Sequence, residues 1–148
     1  MTASVLERAI GLALEVHRGQ IDKAGQPYIL HPLRLMAAMT SEEARVVAVL
    51  HDVVEDSEAT FEDLAALGLS EEALAALRLL THHDDDGSEA NYFAYVARIK
   101  ANPLARAVKL ADLADNLDVS RLPSLTERDS HRLNKYLKAR EMLRRDDG

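Results

Sequence analysis

The sequence contains no cysteine and no tryptophan, and aromatic residues make up only 4% of its 148 positions. Without thiols the chain can form neither disulfides nor thiolate-metal sites, so any metal ion must be held by histidines and carboxylates. With so few aromatic rings, the core has to be built from leucine, valine, isoleucine and alanine, which is typical of a helical protein. No apolar run approaches the roughly 20 residues that a membrane span needs.

An excess of positive charge is also missing, since 18 lysines and arginines stand against 25 aspartates and glutamates for a net charge of −7. Proteins that bind duplex nucleic acid rely on a basic face, so a nucleic-acid partner is not expected. The first residues, MTASVLERAI, lack the basic and apolar regions of a signal peptide, which predicts a cytoplasmic protein without a membrane partner. The length suits one domain, residues 1–148.

Apolar residues at helical spacing predict a first helix over about residues 3–18. The stretch GQIDKAGQPY ends it, and His31-Pro32 predicts the start of a second helix, with His31 in extended backbone just before the proline. Thr40 and Glu43 form a capping-box pattern ahead of ARVVAVLHDVV. The valines alone would permit a buried strand, but the cap and the length of the segment favour a helix.

Similar signals divide the rest of the chain. Thr60 and Ser70 are predicted caps of two further helices, and Asn102-Pro103 begins a long helix that ends near residue 118. Helices are also predicted at about residues 91–100 and 126–144. No strand pattern is present, so we expect an all-α fold of roughly seven or eight helices.

The stretch HDVVED places four ionisable residues, His51, Asp52, Glu55 and Asp56, directly after the apolar run 46–50. Ionisable groups at the end of an apolar helix are costly to bury unless they are paired or coordinated. The simpler interpretation is a helix end that reaches water, with His51 bonded to a backbone carbonyl. A second His-Asp pair begins at His83, but it lies in an aspartate run typical of a solvated loop.

Two other positions carry groups with metal-ligand chemistry beside a helix pattern. His31 stands at a predicted helix start, and Asp112 lies in an apolar helix with Lys109 and Asn116 on the same face. An exposed polar stripe is the alternative interpretation of that face. Together with the HDVVED pair, these residues offer two imidazoles and two carboxylates, a set suited to Mn²⁺, Fe²⁺, Co²⁺ or Zn²⁺.

Three blocks, GQIDKAGQPYILHPLR, AVLHDVVEDSEATFEDL and NPLARAVKLADLADNLD, resemble in order and spacing the HD-superfamily hydrolases that remove the 3′-pyrophosphate of (p)ppGpp, especially the stand-alone small alarmone hydrolases. The resemblance runs from about residue 7 to about residue 140. It implies a compact, single HD domain with a central metal site, for which Mn²⁺ is the expected ion. The implied ligands are His31, His51, Asp52 and Asp112.

The resemblance also implies roles around that site. Glu55 and Asp56 would be the acid/base and water-positioning pair, Asn116 would contact the ribose, and Lys23 would lie near the base or the phosphates. Lys109 could meet a phosphate or pair with a carboxylate. One departure is Asp22, because the family commonly has an arginine there that stacks on guanine, and this puts the base preference in doubt.

The sequence therefore predicts a Mn²⁺-dependent phosphohydrolase that cleaves the 3′-diphosphate of (p)ppGpp or a related purine alarmone. Hydrolysis of another nucleotide or nucleotide cofactor, such as a dNTP or NADPH, is the nearest alternative. A non-catalytic HD module that senses nucleotides is another. The presence of Glu55 and Asp56 argues against a sensor, because binding alone needs no proton-transfer pair.

Overall fold

The computed structural model of the chain describes residues 2–82 and 87–145. Within these ranges the fold is built from eight α-helices, with one 3-10 turn at Val119–Arg121 and one isolated antiparallel bridge between Ile21 and Pro27. The helices are α1 (Val5–His17), α2 (Leu30–Ala37), α3 (Glu42–Leu50), α4 (Phe61–Ala65), α5 (Glu71–Leu80), α6 (Glu89–Lys100), α7 (Pro103–Asn116) and α8 (Glu127–Arg144). The all-α prediction is confirmed. His83 and the aspartates after it lie outside the described residues.

Side-chain caps start most helices where the sequence predicts them. Thr60 forms a capping box with Asp63 at α4, and Ser70 accepts a backbone N–H at the start of α5. At α7, Asn102 is the cap and Pro103 is the first helical residue, where its missing N–H costs nothing. These local signals define the helix starts because each one satisfies backbone donors that the helix itself leaves unpaired.

The cap of α3 differs from the prediction by one residue. Ser41, in extended backbone at φ −124° and ψ 155°, accepts the N–H of Ala44 through its hydroxyl, whereas Thr40 makes no such bond in the described helix start. Ser and Thr are both good caps, and the choice between adjacent ones depends on which has the extended backbone conformation. The helix rather than strand interpretation of the valine-rich segment is confirmed.

The start of α2 also differs from the prediction. His31 is not in extended backbone before the helix but in its first turn, because α2 begins at Leu30. The first turn of a helix has no internal use for its N–H groups, so Pro32 is tolerated at its third position and the helix can begin before it. His31 therefore projects from α2 one turn ahead of Arg34.

α3 is the central helix of the fold and packs against α1, α2, α5 and α7. The last five residues of the helix, from Val46 to Leu50, are each no more than 4% exposed. A helical segment buried on all sides needs apolar residues all round, which explains why this half of α3 lacks a polar face, whereas Glu42 and Glu43 lie in the exposed first turn. Its carboxyl end, where HDVVED begins, consequently lies inside the fold. Among the described residues, no helix combines the length and apolar character needed to cross a membrane.

Candidate metal centre

His51 is the residue that ends α3, and its ring is fixed by the backbone of its own helix. Its Nδ1 lies 2.8 Å from the carbonyl oxygen of Ala48 and donates its proton there. The other nitrogen, Nε2, is then left with a lone pair that points into the site. The backbone-bonded and the metal-ligand interpretations of His51 are therefore compatible, because each uses a different ring nitrogen.

The four predicted ligands come together at this point. His51 Nε2 lies 3.0 Å from Asp52 Oδ2 and 3.5 Å from Asp112 Oδ1, and the same oxygen of Asp112 lies 2.9 Å from His31 Nε2. Potential ligand atoms of His31, His51 and Asp52 all lie within 4.8 Å of one another. Three helices contribute: α2, the end of α3, and α7.

The donors fit a divalent transition-metal ion. Within the described residues, Nε2 of His51 is buried and has no hydrogen bond of normal geometry, despite the nearby carboxylates. A buried polar atom without a hydrogen bond is costly unless another partner satisfies it. Two imidazole nitrogens and two carboxylate groups around one point form the mixed nitrogen and oxygen set of such ions.

Asp112 is held in the ionised form that a ligand requires. Although burial opposes its ionisation, the charge of Lys109, the hydrogen bond from His31 and the nearby ring of His51 keep the pKa of Asp112 well below its usual range. Lys109 is itself buried, and its Nζ donates to Asp112 Oδ2 at 2.9 Å. Asn116 donates from Nδ2 to Asp112 Oδ1 at 3.0 Å. Lys109 thus pairs with a carboxylate. Lys109 and Asn116, which were predicted to bind substrate, both orient Asp112.

Glu55 follows His51 in a tight turn and faces the same space. Its carboxylate accepts the backbone N–H of His82, and it lines a cavity of about 330 Å³ together with His51, Asp52 and Asp112. We call this space the acidic cavity. Partial burial and the charge of Asp52 raise the pKa of Glu55 to about 7. Glu55 therefore lines the same cavity as His51, which lies four residues before it in the chain.

Asp56, the other predicted acid/base residue, lies on a different side. Its Oδ2 is 4.0 Å from Nδ1 of His17, and it does not line the acidic cavity. Burial, followed by the charge of Asp52, raises the pKa of Asp56. His17 is only 1% exposed, and sequence reasoning missed it, because its place on α1 resembles an ordinary core position.

A second cavity, of about 250 Å³, is lined by one of the candidate metal ligands, His31. We call it the loop cavity, because Asp22 and Lys23 of the segment between α1 and α2 line it, together with His31 and Asn116. Tyr136 of α8 lines both cavities. The candidate ligands His51, Asp52 and Asp112 line the acidic cavity and His31 lines the loop cavity, so both spaces adjoin the same centre and a long ligand could occupy them together.

Three more residues at the centre were not singled out as site residues from the sequence. Tyr28 donates its hydroxyl proton to Asp52 Oδ2. Asp115 accepts from His31 Nδ1, and Arg34 pairs with Asp115. Asp115 lies three residues after Asp112, and Arg34 lies three after His31, so helical spacing alone would have placed each pair on one face.

The relatives that the chain matches are enzymes of alarmone metabolism. It is 31% identical over 122 residues to the bifunctional (p)ppGpp synthase/hydrolase SpoT of Escherichia coli K12, a match that covers 76% of this chain and 17% of that protein. It is 27% identical over 124 residues to the guanosine-3′,5′-bis(diphosphate) 3′-pyrophosphohydrolase of Aquifex aeolicus, covering 78% of this chain and 18% of that protein. A GTP pyrophosphokinase of Myxococcus xanthus is 38% identical over 73 residues, which is 47% of this chain and 10% of that protein.

The chain thus spans less than a fifth of the length of these relatives. A solved structure described as a metazoan ortholog of SpoT that hydrolyses ppGpp superposes with a TM-score of 0.81 and 25% identity, covering 97% of this chain and 88% of that one. The chain belongs to the HD superfamily, in the group of the alarmone hydrolases. No protein-family model matches it.

The departure of this HD-superfamily chain at Asp22 has a local structural reason. Oδ1 of Asp22 accepts the backbone N–H groups of Ala24 and Gln26, both at 2.9 Å. The turn also needs Gly25, whose φ of 82° other residues rarely adopt. Asp22 therefore holds the shape of the loop that carries Lys23.

Proposed function

We propose that this protein is a metal-dependent phosphohydrolase that removes the 3′-diphosphate of (p)ppGpp or a related purine alarmone. The products would be pyrophosphate and GDP or GTP. Mn²⁺ is the ion we expect, although the ligand set also suits other divalent transition metals. A cytoplasmic location stays a prediction from the sequence.

One observation carries the proposal. Two histidine nitrogens and two carboxylates, from three separate helices, converge beside Glu55, whose pKa is raised to about 7. Hydrolysis of a phosphoester needs a cation, a water molecule and a proton-transfer group in close proximity, and a carboxylate with a pKa near 7 is suited to that transfer. The names of the relatives and of the superposed structure support the substrate class.

The chain's own residues divide the chemical work. A divalent ion held by His31, His51, Asp52 and Asp112 would supply charge neutralisation for phosphate and activation of a water molecule. Glu55, which faces the acidic cavity, would accept a proton from the attacking water and return one to the leaving oxygen. Asp56 would assist in positioning water from the side of His17. Tyr28 holds the carboxylate of Asp52 through its hydrogen bond.

The two cavities suggest how the substrate lies. Lys23 and Asn116 line the loop cavity, so we place the base and ribose there. Lys109 and Lys135 line the acidic cavity beside Glu55, so we place the 3′-diphosphate there. The scissile bond would then lie beside the proposed metal ligands, where the two cavities adjoin the same centre.

The test is turnover by the purified protein loaded with Mn²⁺, on a panel of ppGpp, pppGpp, ppApp, dNTPs and NADPH. We expect release of pyrophosphate from an alarmone and no such release by the His51→Ala variant, which lacks one of the ligands. Turnover of only a dNTP or only NADPH would show that the substrate is not an alarmone but that other nucleotide. Tight binding of an alarmone without hydrolysis would instead identify a sensor.

A further inference from the structure

Each of the two ring nitrogens of His31 lies within hydrogen-bonding distance of a carboxylate. Nε2 lies 2.9 Å from Asp112 Oδ1, on the side of the metal ligands, and Nδ1 lies 2.7 Å from Asp115 Oδ2, on the opposite side. When a metal ion takes the place of the proton at Nε2, the carboxylate acceptor at Nδ1 holds the remaining proton there and fixes the orientation of the ring. The ring is 5% exposed, so water has little access to this arrangement.

Asp115 is itself fixed in place by two arginines. Arg34 contacts it with both arms of its guanidinium, Nε to Oδ1 at 2.8 Å and Nη2 to Oδ2 at 2.9 Å. Arg121 adds a bond from Nη2 to the carbonyl oxygen of Asp115 at 3.0 Å. A two-armed arginine contact defines the plane of a carboxylate, which a single lysine contact does not.

The same four residues join two helices in a repeating pattern. His31 and Arg34 are three residues apart on α2, and Asp112 and Asp115 are three residues apart on α7. Each pair lies on one helical face, so the histidine and arginine of α2 meet the two aspartates of α7. Asp112 faces the metal position, while Asp115 is turned away from it and reaches His31 from behind.

We propose that Asp115, clamped by Arg34, is a positioning residue that holds His31 with Nε2 directed at the metal ion, and that this contact sets the affinity of the centre for divalent ions. The inference rests on the proposed metal site. It concerns a residue that is not itself a ligand. A purely structural alternative is that the Arg34–Asp115 pair only fastens α2 to α7, in which case its loss would lower stability without changing the state of the imidazole.

The main test measures Mn²⁺ binding by titration calorimetry for the wild type, Asp115→Ala and Asp115→Asn. We expect Asp115→Ala to weaken Mn²⁺ binding by about 10- to 100-fold, as is usual when the hydrogen-bond partner of a ligating histidine is removed. Asp115→Asn keeps an oxygen that can accept from Nδ1, so it should retain most of the affinity.

A matched control and a spectroscopic readout separate positioning from fastening. Asp118→Ala removes a nearby carboxylate that also pairs with Arg121, at 3.0 Å, but does not contact His31. It should leave Mn²⁺ affinity unchanged. In the Zn²⁺-loaded protein, the Nδ1 proton of His31 should give a slowly exchanging NMR signal in the wild type, shifted downfield by its hydrogen bond to Asp115, and this signal should be lost through exchange with water in Asp115→Ala.

Two results would overturn the inference: wild-type Mn²⁺ affinity in folded Asp115→Ala, or an equal loss in Asp118→Ala. If Asp115→Ala does not fold, Mn²⁺ binding by Arg34→Lys tests the inference instead. Lysine keeps the positive charge but cannot make the two hydrogen bonds that Arg34 donates to Asp115. Weaker Mn²⁺ binding by that variant supports the inference, and unchanged binding contradicts it. A wild-type protein that binds no Mn²⁺ would overturn the proposed metal site as well, which distinguishes that failure from a failure of the Asp115 role.

Discussion

Glu55 holds its proton more tightly in the folded protein than a free glutamate does, because its carboxylate is partly buried and faces Asp52. Its pKa is raised from 4.5 to about 7. Between these two values the folded state binds more protons than the unfolded chain, so folding stability falls as the pH rises through this range. Above about pH 7 the stabilising effect of that extra proton is lost completely.

Glu55→Gln should therefore separate stability from catalysis. In the metal-free protein we expect the variant to melt at a higher temperature than the wild type at pH 8, and the difference to shrink towards pH 5. With Mn²⁺ and substrate, the same variant should lose about 10²- to 10⁴-fold in rate, because glutamine cannot transfer a proton. Thermal unfolding at both pH values and initial rates provide the measurements.

Glu58→Gln is the control for this experiment, since Glu58 is an exposed acid in the same segment. It should leave the rate of hydrolysis unchanged. If Glu55→Gln keeps near wild-type turnover, Glu55 does not carry the proton, and Asp56 becomes the stronger candidate.

At the scale of elements, the loop between α1 and α2 has a structural role and, in the proposed function, also a substrate-binding role. Its backbone is paired by Tyr28 N to Gln20 O and by Asp22 N to Gln26 O, both at 2.8 Å. The carboxylate of Asp22 adds two further bonds to the backbone. By resemblance to the family, Asp22 stands in place of an arginine that stacks on the base. The structure shows that Asp22 instead bonds to the backbone of its own loop.

We expect Asp22→Ala to loosen this loop and Asp22→Asn, which keeps an acceptor oxygen, to preserve it. Loss of the two acceptor contacts should cost about 1 kcal/mol of local stability and speed hydrogen exchange at the amides of Ala24 and Gln26. Because Lys23 is carried by the same loop, the KM for ppGpp should rise as well.

Lys23→Ala provides the comparison for the loop experiment. It should raise the KM without changing amide exchange, since it removes the charge and leaves the loop bonds in place. Unchanged exchange in Asp22→Ala would show that the backbone pairing alone holds the loop, and that the carboxylate has another role.

At the scale of the whole molecule, the candidate metal ligands join α7 to the consecutive helices α2 and α3. These three helices pack against one another, so a bound ion would link them directly. Without the ion, the buried carboxylate of Asp112 is compensated by Lys109 and the two histidines. A ligand that binds only the folded state stabilises it by mass action.

Mn²⁺ should therefore raise the unfolding temperature of the wild type, with a stabilisation of about 2.7 kcal/mol at 100 times its dissociation constant. His51→Ala should lose this response. His131→Ala should keep it, because His131 is exposed on α8 and is not a ligand in the proposed set. A wild-type protein whose melting is insensitive to Mn²⁺, or an equal loss in both variants, would contradict the assignment of the centre.

Much of the fold, and the residues that converge at the candidate centre, could be predicted because the underlying signals are local. Ser70, Thr60 and Asn102 cap their helices within three residues, and the spacing from His51 to Glu55 is about one turn. The two misplaced helix starts, at Ser41 and Leu30, are cases in which neighbouring residues are nearly equivalent by propensity. Packing then decides between them.

The sequence by itself determined the helices and the residue types of the centre, since periodicity, caps and short charged blocks act within a few positions along the chain. Only the tertiary structure decided that Asp115 reaches His31 across 84 positions and that Asp56 faces His17. These contacts depend on how α2 packs on α7 and how the turns fold back. No local pattern encodes such distances, because they result from burying all the apolar faces in a single core.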